Sequence, residues 1–145
     1  VDDIARSRDF YEGVLGQKVK YNFGENITFE GEFAIHLKSH YQGLIPDREI
    51  CSRGHNFELY FEHDDIATLE QKLLDHGVSF VHRVREQPWK QRVIRFYDPD
   101  GHIIEVGESM VYLSNRLYNA GSSLEAISEL LNLPVDAIRD FIESR

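Results

Sequence analysis

Cysteine, methionine and tryptophan each occur once in this chain of 145 residues, and proline only four times. The single Cys51 has no partner for an internal disulfide, so cross-links do not hold the fold, and a reducing, cytoplasmic setting is expected. As a nucleophile Cys51 has little behind it. It sits in "REICSRGH", read as a loop, with only Arg48 and Arg53 nearby to favour a thiolate. No apolar run approaches the roughly 20 residues that span a bilayer, and no signal-peptide pattern opens the chain. Basic residues are outnumbered, 16 Lys and Arg against 25 Asp and Glu, giving a formal net charge of −9. A chain with that balance repels nucleic acid and anionic membrane, and neither is expected as a partner.

What is present is enough apolar and aromatic residue, 41% and 12%, to build the core of one globular domain. "VDDIARSRDFYEGVLG" reads as an amphipathic helix with acids near its start, and Gly16 suits a left-handed end. "KVKYNF", "ITFEG" and "FAIHLKS" follow as three extended runs. From Asn56 the same order returns. "NFELYFEHDD" alternates as a strand, "DIATLEQKLLDHG" is a helix ending at Gly77, and "VSFVHRVRE", "QRVIRFY" and "HIIEVGE" are three more strands. "DPDG" joins the last two of these as a tight turn.

Helix and three strands therefore occur twice, with Asp3-Ile4-Ala5 matching Asp65-Ile66-Ala67 and Gly16 matching Gly77. By that alignment a strand belongs in front of Val1, which retains only its last residue. The expected fold is α+β: two βαβββ repeats, 1–45 and 55–109, forming a cupped mixed sheet with helices outside. Residues 110–145 are expected to be a C-terminal helical extension. In it Ser122 and Glu125 form a capping box, and Pro134 suits the first turn of a second helix.

"SRDFYEGVLG" together with "DPDGHIIEV", set in this duplicated order, resembles the vicinal-oxygen-chelate superfamily, which includes glyoxalase I, bleomycin- and fosfomycin-resistance proteins and extradiol dioxygenases. The resemblance implies a divalent metal (Zn²⁺, Fe²⁺, Mn²⁺, Ni²⁺ or Co²⁺) held on the pocket face of the sheet. It also implies a small-molecule substrate with vicinal oxygens, and frequent homodimers. Carried over position by position, it puts the metal ligands at His36, Glu58 and Glu105, with Glu105 also the catalytic proton shuttle. Glu58 stands where the family more often has histidine, and a fourth position lies upstream of Val1.

Other readings of the same residues stand beside this one. Glu105 can also be an inward acid satisfied by Arg92 or Arg95, though the resemblance favours the ligand; His36 can be a partly exposed or hydrogen-bonded histidine, and Glu58 part of a solvated strand face with Tyr60 and Glu62. Tyr60, Trp89, Arg95 and Tyr97 are the candidate substrate contacts, the aromatics for stacking and Arg95 for an anion. Three functions follow. The first is a glyoxalase-like metalloenzyme of lyase, isomerase or dioxygenase type. The second is a metal-free protein sequestering an aromatic or cationic compound, and the third a ligand-sensing interaction module.

Overall fold

The structure is a computed structural model describing residues 1–143; the last two residues of the expected helical extension lie outside the described residues. It divides into two compact units. One is Val1–Leu59 with Lys72–Val81 and Phe96–Ile104; the other is Tyr60–Gln71 with His82–Arg95 and Glu105–Arg145. No helix among the described residues is long and apolar enough to cross a membrane.

Helix α1 (Ile4–Asp9) is capped by the Asp3 carboxylate, which accepts from Arg6 N–H, and runs on into a π-helical turn, Phe10–Val14. It ends at Gly16 with φ +67, and the second repeat's helix is followed by Gly77 with φ +65, the left-handed conformation expected at both positions. Strands β1 (Val19–Asn22), β2 (Asn26–Phe29) and β3 (Ala34–His36) form an antiparallel sheet in that order. Phe10, Tyr11, Phe29 and Phe33 make edge-on, tilted and stacked ring contacts beneath it, and Phe96 joins Phe10. On one side of β3, Leu37 N–H donates to Glu25 O; on the other, His36 O and Lys38 N–H bond to Val1. Val1 thus pairs with the edge of β3.

The second sheet has the order β4 (Glu58–Glu62), β7 (Ile103–Gly107), β6 (Arg92–Tyr97), β5 (Phe80–Glu86), with α3 (Ile66–Asp75) between β4 and β5 in sequence. This is the βαβββ order read from the sequence. Two helices go beyond the elements read individually. Residues 33–39 read as one strand, but β3 stops at His36 and α2 (Lys38–Leu44) begins, without a side-chain cap, an acid in its first turn or a buried residue. Helix α4 (Met110–Asn119) falls within the expected helical extension as a third helix ahead of the pair: Ser109 caps it, its side chain accepting from Tyr112 N–H, and Leu113 is buried.

Helices α5 (Leu124–Leu131) and α6 (Val135–Glu143) are the expected pair. Their start is shifted by one residue. The cap is Ser123, accepting from Ala126 N–H, so Glu125 falls one place short of the capping-box position and acts only as a first-turn acid. Leu113, Ile127 and Ile138, one from each of the last three helices, are the buried apolar residues of this tail.

Candidate functional site

The side chains that matter are placed by the hairpin of β6 and β7. Asp98 N–H donates to His102 O near the turn, and Glu108 N–H to Arg92 O at the far end. With those bonds fixing the register, Arg95 stands directly opposite Glu105. Glu105 is 8% exposed, and its Oε2 forms an ion pair with the Arg95 guanidinium and has no other partner among the described residues. Arg95 also reaches His82 on β5, Nη1 to Nε2 3.2 Å. Because His82 Nδ1 faces Arg83 O at 2.8 Å, the ring hydrogen belongs on Nδ1 and Nε2 is the acceptor for Arg95.

Two places beyond Glu105, on the same face of the strand, Gly107 has no side chain, and two neighbours use that space. A Cβ built there would lie 2.7 Å from Gln91 Nε2 and 3.2 Å from a Tyr60 ring carbon. Gln91, only 4% exposed, donates from Nε2 to Tyr60 Oη (3.1 Å) and to Glu108 O (2.8 Å), and its Oε1 accepts from Trp89 Nε1 (2.9 Å). One buried amide therefore ties down two aromatic side chains that remain 46% and 41% exposed, Tyr60 and Trp89. Burial, foremost, raises the Tyr60 phenol above its ordinary value, so it stays protonated. Gly107→Ala is expected to displace the Gln91 amide, cost about 1–2 kcal/mol by overpacking, and shift the emission of Trp89. Urea unfolding and fluorescence check both.

Of the residues proposed from sequence, Tyr60, Trp89, Arg95 and Glu105 belong to this second unit. Tyr97 belongs to the first, where its hydroxyl meets His55 Nε2 at 3.3 Å. His36 and Glu58 are also in the first unit. The His36 ring lies parallel to that of His40, centroids 5.7 Å apart, and its Nδ1 is buried without a hydrogen-bond partner. Burial, then the neighbouring His40, lowers its pKa and favours the neutral ring. Glu58 is exposed at the start of β4.

Among the described residues, no three of His, Cys, Asp or Glu are grouped so as to hold a metal ion. Glu105, the one of the three expected ligands in the second unit, is committed to a guanidinium and as it stands does not suit a resident divalent metal. Sequence reasoning missed Gln91 and His82. Gln91 opens the stretch "QRVIRFY", read as a strand, and nothing in its local pattern marks it as buried.

The profile of the glyoxalase-like domain matches residues 1–111. A crystal structure of a protein of unknown function from Agrobacterium tumefaciens str. C58 is 44% identical, covering 75% of this chain and 87% of its own, with a TM-score of 0.68. A glyoxalase-related enzyme from Fulvimarina pelagi is similar in fold at 21% identity, covering 77% of this chain and 84% of its own, with a TM-score of 0.65. The fosfomycin resistance protein FosX from Mesorhizobium loti is similar at 24% identity, covering 81% of this chain and 90% of its own, with a TM-score of 0.56. Among curated proteins none matches. Repeat order, hairpin turn and domain profile agree, and the chain belongs to the glyoxalase-like domain family of the vicinal-oxygen-chelate superfamily.

Proposed function

We propose that this protein binds a small planar aromatic compound without a metal, on the sheet face that presents Tyr60, Trp89 and Arg95. The observation that carries the reading is the ion pair of Glu105 with Arg95. In the metal-dependent reading the Glu105 carboxylate supplies charge to a cation. Here a cation is already in place, covalently part of the neighbouring strand. Drawing the carboxylate away would leave a partly buried guanidinium without its counter-charge, which is costly. The residues around it suit a ring. Tyr60 and Trp89 are oriented from beneath by Gln91 and open above, and Arg95 adds a cation that favours a π face.

A second reading, a metal-dependent lyase, isomerase or dioxygenase, has one observation in its favour. His36 Nδ1 is unpartnered and its ring favours the neutral form, the state in which imidazole ligates.

Trp89 is the only tryptophan of the chain, so its fluorescence reports directly on this face. Naphthalene and quinoline are expected to quench it saturably in the purified protein, with the same affinity in the presence of EDTA. Tyr60→Ala should weaken binding about tenfold, the scale of one aromatic contact. Metal analysis should find well under one transition-metal ion per chain. Near-stoichiometric metal that is lost in Glu105→Ala, or quenching that EDTA abolishes, overturns the proposal in favour of the second reading.

A further inference from the structure

A separate cavity of about 450 Å³ lies within the first unit, with Phe10 and Tyr97 on its apolar wall and Arg53, His55, His76 and Asp98 supplying its charged and polar groups. Its one carboxylate is fully engaged elsewhere. Asp98 accepts from Tyr11 Oη (3.0 Å), His102 Nδ1 (2.8 Å), and the backbone N–H groups of Asp100 (3.0 Å) and His102 (2.8 Å). Asp98 therefore has little capacity left for neutralising a cation across the cavity.

Arg53 is that cation. It forms no ion pair or hydrogen bond among the described residues, as Arg48 and Arg85 form no ion pair, whereas Arg6, Arg8, Arg83, Arg92, Arg95 and Arg116 have carboxylate partners. The residue is exposed, and its stem packs against the backbone of the hairpin turn. The stem lies over Gly101, where a Cβ would come within 2.8 Å of Arg53 Cγ, so only glycine admits it. Arg53 and His55 both have left-handed backbone, φ 54 and 52, on either side of Gly54. Non-glycine residues held there cost of order 1 kcal/mol each, and such strain gathers where side chains must be aimed. The loop aims two at one cavity. His55 is steadied by Tyr97, Nε2 to Oη 3.3 Å, and His76 by the contact of its Nδ1 with Lys72 O at 2.8 Å.

We propose that this cavity is a binding site for a small organic carboxylate, received by the Arg53 guanidinium with Phe10 and Tyr97 against its carbon skeleton. A guanidinium with free donors matches a carboxylate in a paired, two-bond geometry, and the volume suits a molecule of ten or so heavy atoms. The proposal is independent of the aromatic face, which lies in the other unit and uses none of these residues.

The test is an amide-shift titration of the isotopically labelled full chain with sodium benzoate. Saturable shifts are expected at residues 53–55, 76–79 and 97–101. Arg53→Gln should weaken the affinity about tenfold or more, and Arg53→Lys less, since the charge remains while the fork is lost. Benzylamine, of the same shape and opposite charge, should not bind. Trp89→Ala should bind benzoate unchanged. An absence of saturable shifts at these residues, unaltered affinity in a folded Arg53→Gln, or equal binding of benzylamine overturns the site. Inorganic phosphate binding as tightly as benzoate overturns the assignment to an organic carboxylate. Loss of benzoate in Trp89→Ala would place the ligand on the aromatic face and sink this inference alone.

Discussion

Replacing Glu108 by alanine is expected to destabilise the fold by about 3 kcal/mol and to loosen helix α4 from the strands it leans on. Glu108 follows β7 directly and is 1% exposed. Its Oε2 accepts from Arg116 Nη2 of α4 (2.8 Å) and from the backbone N–H of Arg92 (3.0 Å), and its Oε1 lies 3.8 Å from Arg92 Nη1. Arg116 Nη2 also donates to Lys90 O (2.6 Å), while its Nε is buried with no partner. Glu108 is thus the anion at the join between the second repeat and the helical tail.

Alanine in its place leaves two arginines without their acid and strands one backbone donor. Each buried donor so orphaned costs about 1–3 kcal/mol, which is why the loss exceeds that of a surface ion pair, about 0–1 kcal/mol. Glu108→Gln keeps one acceptor oxygen and should lose about half as much. Urea midpoints of both variants, of Arg116→Ala and of the double variant give the coupling directly. A Glu108→Ala loss below about 1 kcal/mol would mean that water replaces the carboxylate with ease, contrary to its burial.

A loss of similar size, about 3 kcal/mol, is expected for Asp98→Ala, because the acid at the start of the turn is the acceptor for four donors. Tyr11 is 1% exposed, and burial, with the Asp98 charge behind it, raises its phenol so that it remains a donor. Without Asp98 that hydroxyl is a buried orphan. Tyr11→Phe removes donor and need together and should cost only about 1 kcal/mol, an asymmetry general to buried hydrogen bonds.

The same group makes stability depend on pH. Burial alone would lift the Asp98 carboxyl, but the His102 hydrogen bond and charge, the His102 backbone N–H and the Tyr11 hydroxyl outweigh it and hold it below its ordinary 3.8. Its contribution is present above that value and fades as the pH falls through the lowered one. His102 moves the other way: the Asp98 hydrogen bond, opposed by burial, holds it above its ordinary 6.5. Its contribution is complete below 6.5 and fades as the pH rises through the raised value. The pair therefore stabilises most between these limits, and Asp98→Ala should flatten that part of the stability profile. A variant whose urea midpoint tracks the parent's at every pH would show that the His102–Asp98 contact carries none of the dependence.

Both predictions rest on acids of a hairpin that the sequence displays openly, Asp98 at its turn and Glu108 at its far end. "DPDG" announces the hairpin. Once it is recognised, counting outward from Asp98 and His102 brings Arg95 opposite Glu105, so the principal ion pair of the site could have been deduced by arithmetic. The repeat order was legible for a similar reason. Strand and helix periods are short-range, and glycine at positions 16 and 77 closes each helix by local backbone preference. Helix α4 lies in the stretch expected to be helical, and Ser109 and the spacing that buries Leu113 mark it locally. Helix α2 was not, since it lacks both cap and buried face.

The chain by itself determined the fold class and the two repeats, because each of these depends on neighbours in sequence. Tertiary structure alone decided what the candidate site residues do. That Gln91 ties Tyr60 to Trp89 and that Arg53 lies over Gly101 without an acid are matters of partners brought together only by the fold. A side chain's chemistry is set by the charge and solvent around it, and residue identity does not record who its neighbours are in space.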